Sequence, residues 1–201
     1  MLQPLHRATV GMMHPLAARC VFWELGQDVA QKVCERGDPR FEKEAWLMAV
    51  LLEQQQCGFH ILRDGQEHAI ATIIFCQPRF SPGVAQLPTA PVSADAWLLS
   101  SLHIDPAFEG IGLEHVLIDA VLAHLWQHKA LAVEAFGYSS TEDPLALRKE
   151  EIGLMPAQLL QAAGFEVVAP HPSLPRLRIE LPPEHMLSAQ AAEELLASAL
   201  A

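Results

Sequence analysis

Residues 98–128, LLSSLHIDPAFEGIGLEHVLIDAVLAHLWQH, constrain the fold more than any other stretch of the chain. Leu98–Ile104 reads as an apolar strand, and Pro106 leads it into a turn carrying Gly110 and Gly112. A helix must follow at once, because Leu113, Val116, Leu117, Ala120, Val121 and Leu125 recur at three- and four-residue steps. A strand that turns through glycines into a helix N-terminus presents free backbone N–H groups and the positive end of a dipole. That arrangement can cradle a phosphate or pyrophosphate. The same glycines also suit a plain tight turn between strand and helix, and the residues alone leave both readings open.

The rest of the chain is arranged around this unit. Arg19–Leu25 (RCVFWEL) is an apolar run that fits a first strand or a buried loop, and Gln27–Arg40 is polar and closes on the turn Gly37-Asp38-Pro39. Phe41–Gln56 predicts a helix with Ala45, Leu47, Met48, Leu51 and Leu52 inward. Cys57–Arg63 and His68–Cys76 predict a hairpin turning at Asp64-Gly65. Prolines punctuate 78–93, a length of loop that is usually functional or mobile. Beyond the central helix, Ala130–Phe136 is a strand, 138–155 a polar loop with a helical turn, and Pro156–Ala163 a short helix. Gly164 ends it. Strands at Phe165–Ala169 and Arg176–Leu181 follow, then a final helix at Ser188–Leu200 whose apolar face needs a partner, either its own domain or a second copy in a homodimer.

At 201 residues and 51% hydrophobic, the chain is long enough for one well-buried domain. No apolar run reaches the roughly 20 residues that span a bilayer, and the N-terminus lacks a compact apolar core with a cleavage site. The expectation is a cytoplasmic protein without a membrane partner. A formal charge of −11 without a basic cluster disfavours nucleic acid and favours a cationic partner such as an amine. Cys20, Cys34, Cys57 and Cys76 have no metal-finger spacing and read as free thiols. His124 and His128 stand four apart on the helix but bring no third ligand, so no metal site is expected.

With LHIDPAFEGIGLEHVLIDAVLAHL at its centre and LLQAAGFEVV near its end, the chain resembles the GNAT acetyltransferase superfamily over most of 41–181. The resemblance implies an α/β fold: a mixed sheet, flanked by helices, whose two central strands splay apart to admit acetyl-CoA. Here those strands are Leu98–Ile104 and Ala130–Phe136. It divides the chain into an N-terminal segment (1–40) packed on the domain, an acyl-CoA-binding domain (41–181) and a C-terminal helical tail (182–201). It implies acetyl-CoA as co-substrate and a small-molecule or protein amine as acceptor.

The resemblance also assigns residues. Acetyl-CoA is expected against the backbone of Leu102, His103 and Ile104, its pyrophosphate on Glu109, Gly110, Ile111, Gly112, Leu113 and Glu114. Two of these depart from the family pattern: Glu109 stands where Arg or Gln is usual, and Glu114 where a side chain is nearly absent. A carboxylate about 8 Å from a phosphate charge costs roughly 0.5 kcal/mol in water-like dielectric. An aimed N–H contributes about 1.5–3 kcal/mol, so repulsion weakens such a site without abolishing it. The family's acidic tyrosine falls on Leu160, which has no proton to give. Glu134, His103 and Tyr138, the chain's one tyrosine, are the substitutes. A buried mid-strand carboxylate is costly unless it serves a purpose. An acetyltransferase and a non-catalytic CoA-sensing or protein-interaction module of the same fold both fit these residues.

Overall fold

The computed structural model describes residues 1–200; Ala201, the last residue of the expected tail, lies outside them. In chain order the elements are β1 (Leu2–Pro4), α1 (Gln27–Arg36), α2 (Pro39–Gln54), β2 (Gly58–Ile61), β3 (Ala71–Cys76) and β4 (Ala96–Ile104). Then come α3 (Leu113–Gln127), β5 (Ala132–Tyr138), α4 (Pro144–Leu147), α5 (Lys149–Ile152) and β6 (Met155–Pro156). The chain closes with α6 (Ala157–Ala162), β7 (Glu166–Ala169), β8 (Arg176–Glu180) and α7 (Ala189–Leu200). The strands form one mixed sheet in the order β1-β2-β3-β4-β5-β8-β7, with β6 added on β5. Among the described residues only β4–β5 and β5–β6 are parallel.

Each sheet face carries its own apolar layer. Leu99 and Val133 point to the face covered by α3, α6 and α7, where Leu117, Val121, Leu125 and Leu160 are fully buried. Leu98, Ala132 and Phe136 point to the opposite face, covered by α2 and by residues 5–23. α3 buries seven residues, Leu113 to Leu125, a wider stripe than the three- and four-residue steps suggested, because the sheet and α7 cover two of its sides. No helix among the described residues is long and apolar enough to cross a membrane.

Several local expectations shift. Gln27–Arg36 is a helix that buries nothing fully; its short stripe of Val29, Ala30, Val33 and Cys34 is easily missed in a polar segment. α2 starts at Pro39, whose missing N–H costs nothing in a first turn, and the Asp38 carboxylate caps Arg40 and Phe41. Its inward residues include Lys43, Leu47 and Val50, whereas Leu52 is 83% exposed. Lys43 is buried because its ammonium meets the buried carboxylate of Glu24. Arg19–Leu25 is a buried set of turns, and the first strand is β1, paired antiparallel with β2.

Candidate functional site

The sheet opens where β4 and β5 part. They pair from Ala96–Ala132 to Leu99–Ala135, then separate while β4 runs on to Ile104 and β5 to Tyr138. The chain itself fills the gap. β6 lies along the end of β5, with Met155 opposite Gly137 and Pro156 opposite Tyr138. On the other side the Leu102 N–H donates to the Gly153 carbonyl at 2.9 Å.

Two more bonds seat this inserted strip. The Trp23 Nε1–H donates to the Ile152 carbonyl at 2.6 Å, and the His103 ring donates from Nε2 to the Glu151 carbonyl at 3.2 Å. Ile152, Leu154 and Met155 are all at most 5% exposed. Gly153 sits at φ +67°, and a Cβ there would lie 2.5–2.8 Å from the His103 ring and 2.8 Å from the Ser101 Cβ. Only glycine allows both the left-handed turn and the close approach to β4. α5 also walls a cavity of about 550 Å³, whose other sides include Leu16, Phe22, Cys34 and Arg148.

The glycine turn is as predicted in backbone and different in occupancy. Gly110 and Gly112 both take positive φ, and Gly112 is the N-cap of α3. The Glu114 carboxylate folds back and accepts the Gly110 N–H at 2.7 Å. Leu195 of α7 stands 3.4 Å from where a Gly112 side chain would begin. Glu109 and Ile111 are exposed, and Leu113 is buried in the layer between α3 and the sheet. Ile104 is half-buried opposite Ala71 of β3.

The three proton-transfer candidates occupy separate environments. Glu134 is fully buried in the paired part of β5, ahead of the gap. One oxygen accepts from Arg176 (2.7 Å) and from the Ser93 N–H (3.0 Å), and the other from Arg178 (3.3 Å). Both oxygens are committed, so the purpose of this buried carboxylate is an ion-pair cluster tying β5 to β8. Tyr138 lies at the far end of β5, its hydroxyl 3.4 Å from the Lys149 ammonium. His103 faces the inserted strip with its Nδ1 unpartnered and buried. Burial lowers its pKa to about 3, so the closed site holds it neutral and weakly basic. Leu160 is core.

Among the described residues no group of three metal-ligating side chains is present. The rings of His124 and His128 lie tilted with centroids 4.2 Å apart, and His128 Nδ1 donates to the His124 carbonyl. The inserted strip was not foreseen. Gly153, directly after a short helical stretch, is a local sign of a helix end, but nothing near it in sequence names Leu102 as its partner.

No family model matches the chain, and no curated protein matches it. Solved structures do. The PaiA N-acetyltransferase of Thermoplasma acidophilum, in complex with coenzyme A, superposes with a TM-score of 0.54 at 8% identity, over 90% of this chain and 98% of that one. The ribosomal-protein-S5-alanine acetyltransferase of Vibrio fischeri gives 0.53 at 10% identity, over 90% and 92%. A further acetyltransferase gives 0.55 at 13% identity, over 90% and 99%. The fold is that of the GNAT N-acetyltransferase superfamily. The parting of β4 and β5 is the splay that the resemblance implies for a GNAT sheet.

Whether acyl-CoA fits this GNAT cleft is decided by the donors and the space. The Leu102 N–H expected to meet it is bonded to Gly153, the Gly110 N–H is bonded to Glu114, and the gap holds buried apolar side chains. In this conformation the residues do not fit the group.

Proposed function

We propose that the chain is an acyl-CoA-dependent N-acyltransferase whose cleft is shut in the conformation described here. The observation that supports this reading is the divergence of two parallel central strands after Leu99 and Ala135 within a GNAT sheet. The acceptor is an amine, in keeping with the acidic chain. His103 is the residue placed to take a proton once hydrated: its ring faces the gap, and rehydration returns an imidazole toward its ordinary pKa near 6.5. Glu134, with both oxygens held by arginines, has a structural role in this reading.

A second reading is favoured by the same filled gap, together with Glu109, Glu114 and Leu160: a GNAT fold that no longer transfers acyl groups and works through its surface. One pair of measurements separates them. Acetyl-CoA at about 100-fold over its dissociation constant stabilises a binding protein by about 2.7 kcal/mol. For a chain of this size that raises Tm by roughly 5–10 °C. The transferase reading expects this shift together with thiol release from acetyl-CoA in the presence of an amine panel. A shift without thiol release supports the non-catalytic reading, and no shift at millimolar acetyl-CoA, in the wild type and with the cleft opened by substitution alike, overturns the first.

A further inference from the structure

The strip from Glu151 to Pro156 makes the contacts of a ligand. It enters the opening between two parallel strands, accepts a backbone N–H from β4 and runs alongside the end of β5. Its anchors come from both sides of the sheet. Trp23 and His103 hold the carbonyls of Ile152 and Glu151, while Met155 is buried in the layer under α3. We propose that residues 151–156 are a built-in latch that competes with acyl-CoA for the cleft, so that the cofactor binds only when Gly153 leaves the Leu102 N–H.

The inference rests on the acyl-CoA reading and deepens it by naming what controls access to that site. Three features carry it. First, the contested group is a single backbone donor: Leu102 N–H cannot serve Gly153 and an acyl carbonyl at once. Second, the strip is short and turns on a glycine at its middle: Gly153 is left-handed, and only Met155 and Pro156 join a strand ladder. Third, the pattern is repeated at the glycine turn, where the Glu114 carboxylate occupies the Gly110 N–H. At both places the chain supplies its own acceptor, a carbonyl in the cleft and an anion at the helix N-terminus.

A latch of this kind lowers apparent affinity by the fraction of molecules that are open. Releasing it therefore tightens binding without altering any residue that touches the cofactor. Gly153→Ala is the direct probe, because its methyl group has no room between the His103 ring and the Ser101 Cβ and disfavours the left-handed backbone. Trp23→Phe is the second: it removes the indole N–H that holds Ile152, with part of a buried ring, and serves if the alanine variant does not fold. The readouts are acetyl-CoA affinity by calorimetry and hydrogen exchange at the Leu102 amide. The latch expects a slowly exchanging Leu102 amide in the wild type, faster exchange in either variant, and acetyl-CoA binding tightened about tenfold or more in the variant. Equal acetyl-CoA affinity in the wild type and in a variant whose Leu102 amide is released overturns the latch and leaves the acyl-CoA reading standing. A folded variant with a released Leu102 amide and no binding at millimolar acetyl-CoA overturns the acyl-CoA reading and the latch with it.

Discussion

Glu134 and His103 are both buried on the same sheet face, yet one is saturated and the other is short of a partner. Glu134→Ala leaves Arg176 and Arg178, both about 15% exposed, facing an empty pocket. Removing one member of a buried ion pair costs about 3–5 kcal/mol. Urea unfolding should show a loss of that size. A loss below 1 kcal/mol would mean that Asp95 and Glu180 hold Arg178 without help. His103 makes a different prediction. Its pKa is lowered to about 3, and that of His60 to about 4, chiefly by burial. The unfolded chain, with imidazoles near 6.5, therefore binds more protons between about pH 6.5 and pH 4. Stability falls as pH drops through that window, by about 2 kcal/mol per imidazole at pH 5. His103→Gln keeps a donor for the Glu151 carbonyl and removes one titration. Between pH 7 and pH 5 it should lose about 2 kcal/mol less than the wild type, and an equal loss would rule out His103 as a source of acid sensitivity.

At the scale of elements, α7 lies on α3, with Leu196, Ala199 and Leu200 against the α3-side layer and Leu195 over the glycine turn. The Leu187 N–H donates to the Asp119 carboxylate at 2.8 Å, tying the preceding linker to the same helix. Three half-buried leucines amount to about 2–4 kcal/mol. A chain ending at Pro183 should therefore melt lower, by the same amount at every protein concentration. A change in sedimentation from dimer to monomer would instead assign the face to a second copy. The parts of the fold that showed in the sequence are those whose pattern is local. β4, the turn and α3 are written in one apolar period and two glycines, and α6 with Gly164-Phe165 in another. α1 stayed hidden because its stripe is only Val29, Ala30, Val33 and Cys34 within an otherwise polar segment. The filling of the cleft stayed hidden for a different reason: residues 138–155 are polar overall, and the contact of Gly153 with Leu102 joins positions far apart in the chain. Sequence periodicity reports which face of an element is buried, not which backbone groups it satisfies.

For the whole molecule, the decisive feature is that residues 1–25 are built into the α2-side core, supplying seven of its 23 buried residues. β1 pairs with β2 at one end of the sheet, and Leu5, Val10, Met13, Val21, Phe22 and Trp23 are at most 5% exposed on the face shared with α2. Trp23 packs within 6.3 Å of Phe136 on β5, and its ring N–H reaches the Ile152 carbonyl. The N-terminus thus touches both central strands' face and the strip in the cleft. Glu24 supplies the only carboxylate paired with the fully buried Lys43 among the described residues. Removing six such side chains forfeits their burial, about 9–18 kcal/mol. Stranding the lysine adds about 3–5 kcal/mol. The total stability of a domain is about 5–15 kcal/mol. A chain starting at Gly26 should therefore not reach the native state, and its far-UV circular dichroism should lack a cooperative thermal transition. In the intact chain, burial of Trp23 and secondary structure should be lost together in one urea transition, because the α2-side layer of the sheet is incomplete without the N-terminus. If the chain from Gly26 unfolds cooperatively, or if Trp23 becomes exposed before the sheet melts, residues 1–25 are a separable cover and the face beneath them is self-sufficient.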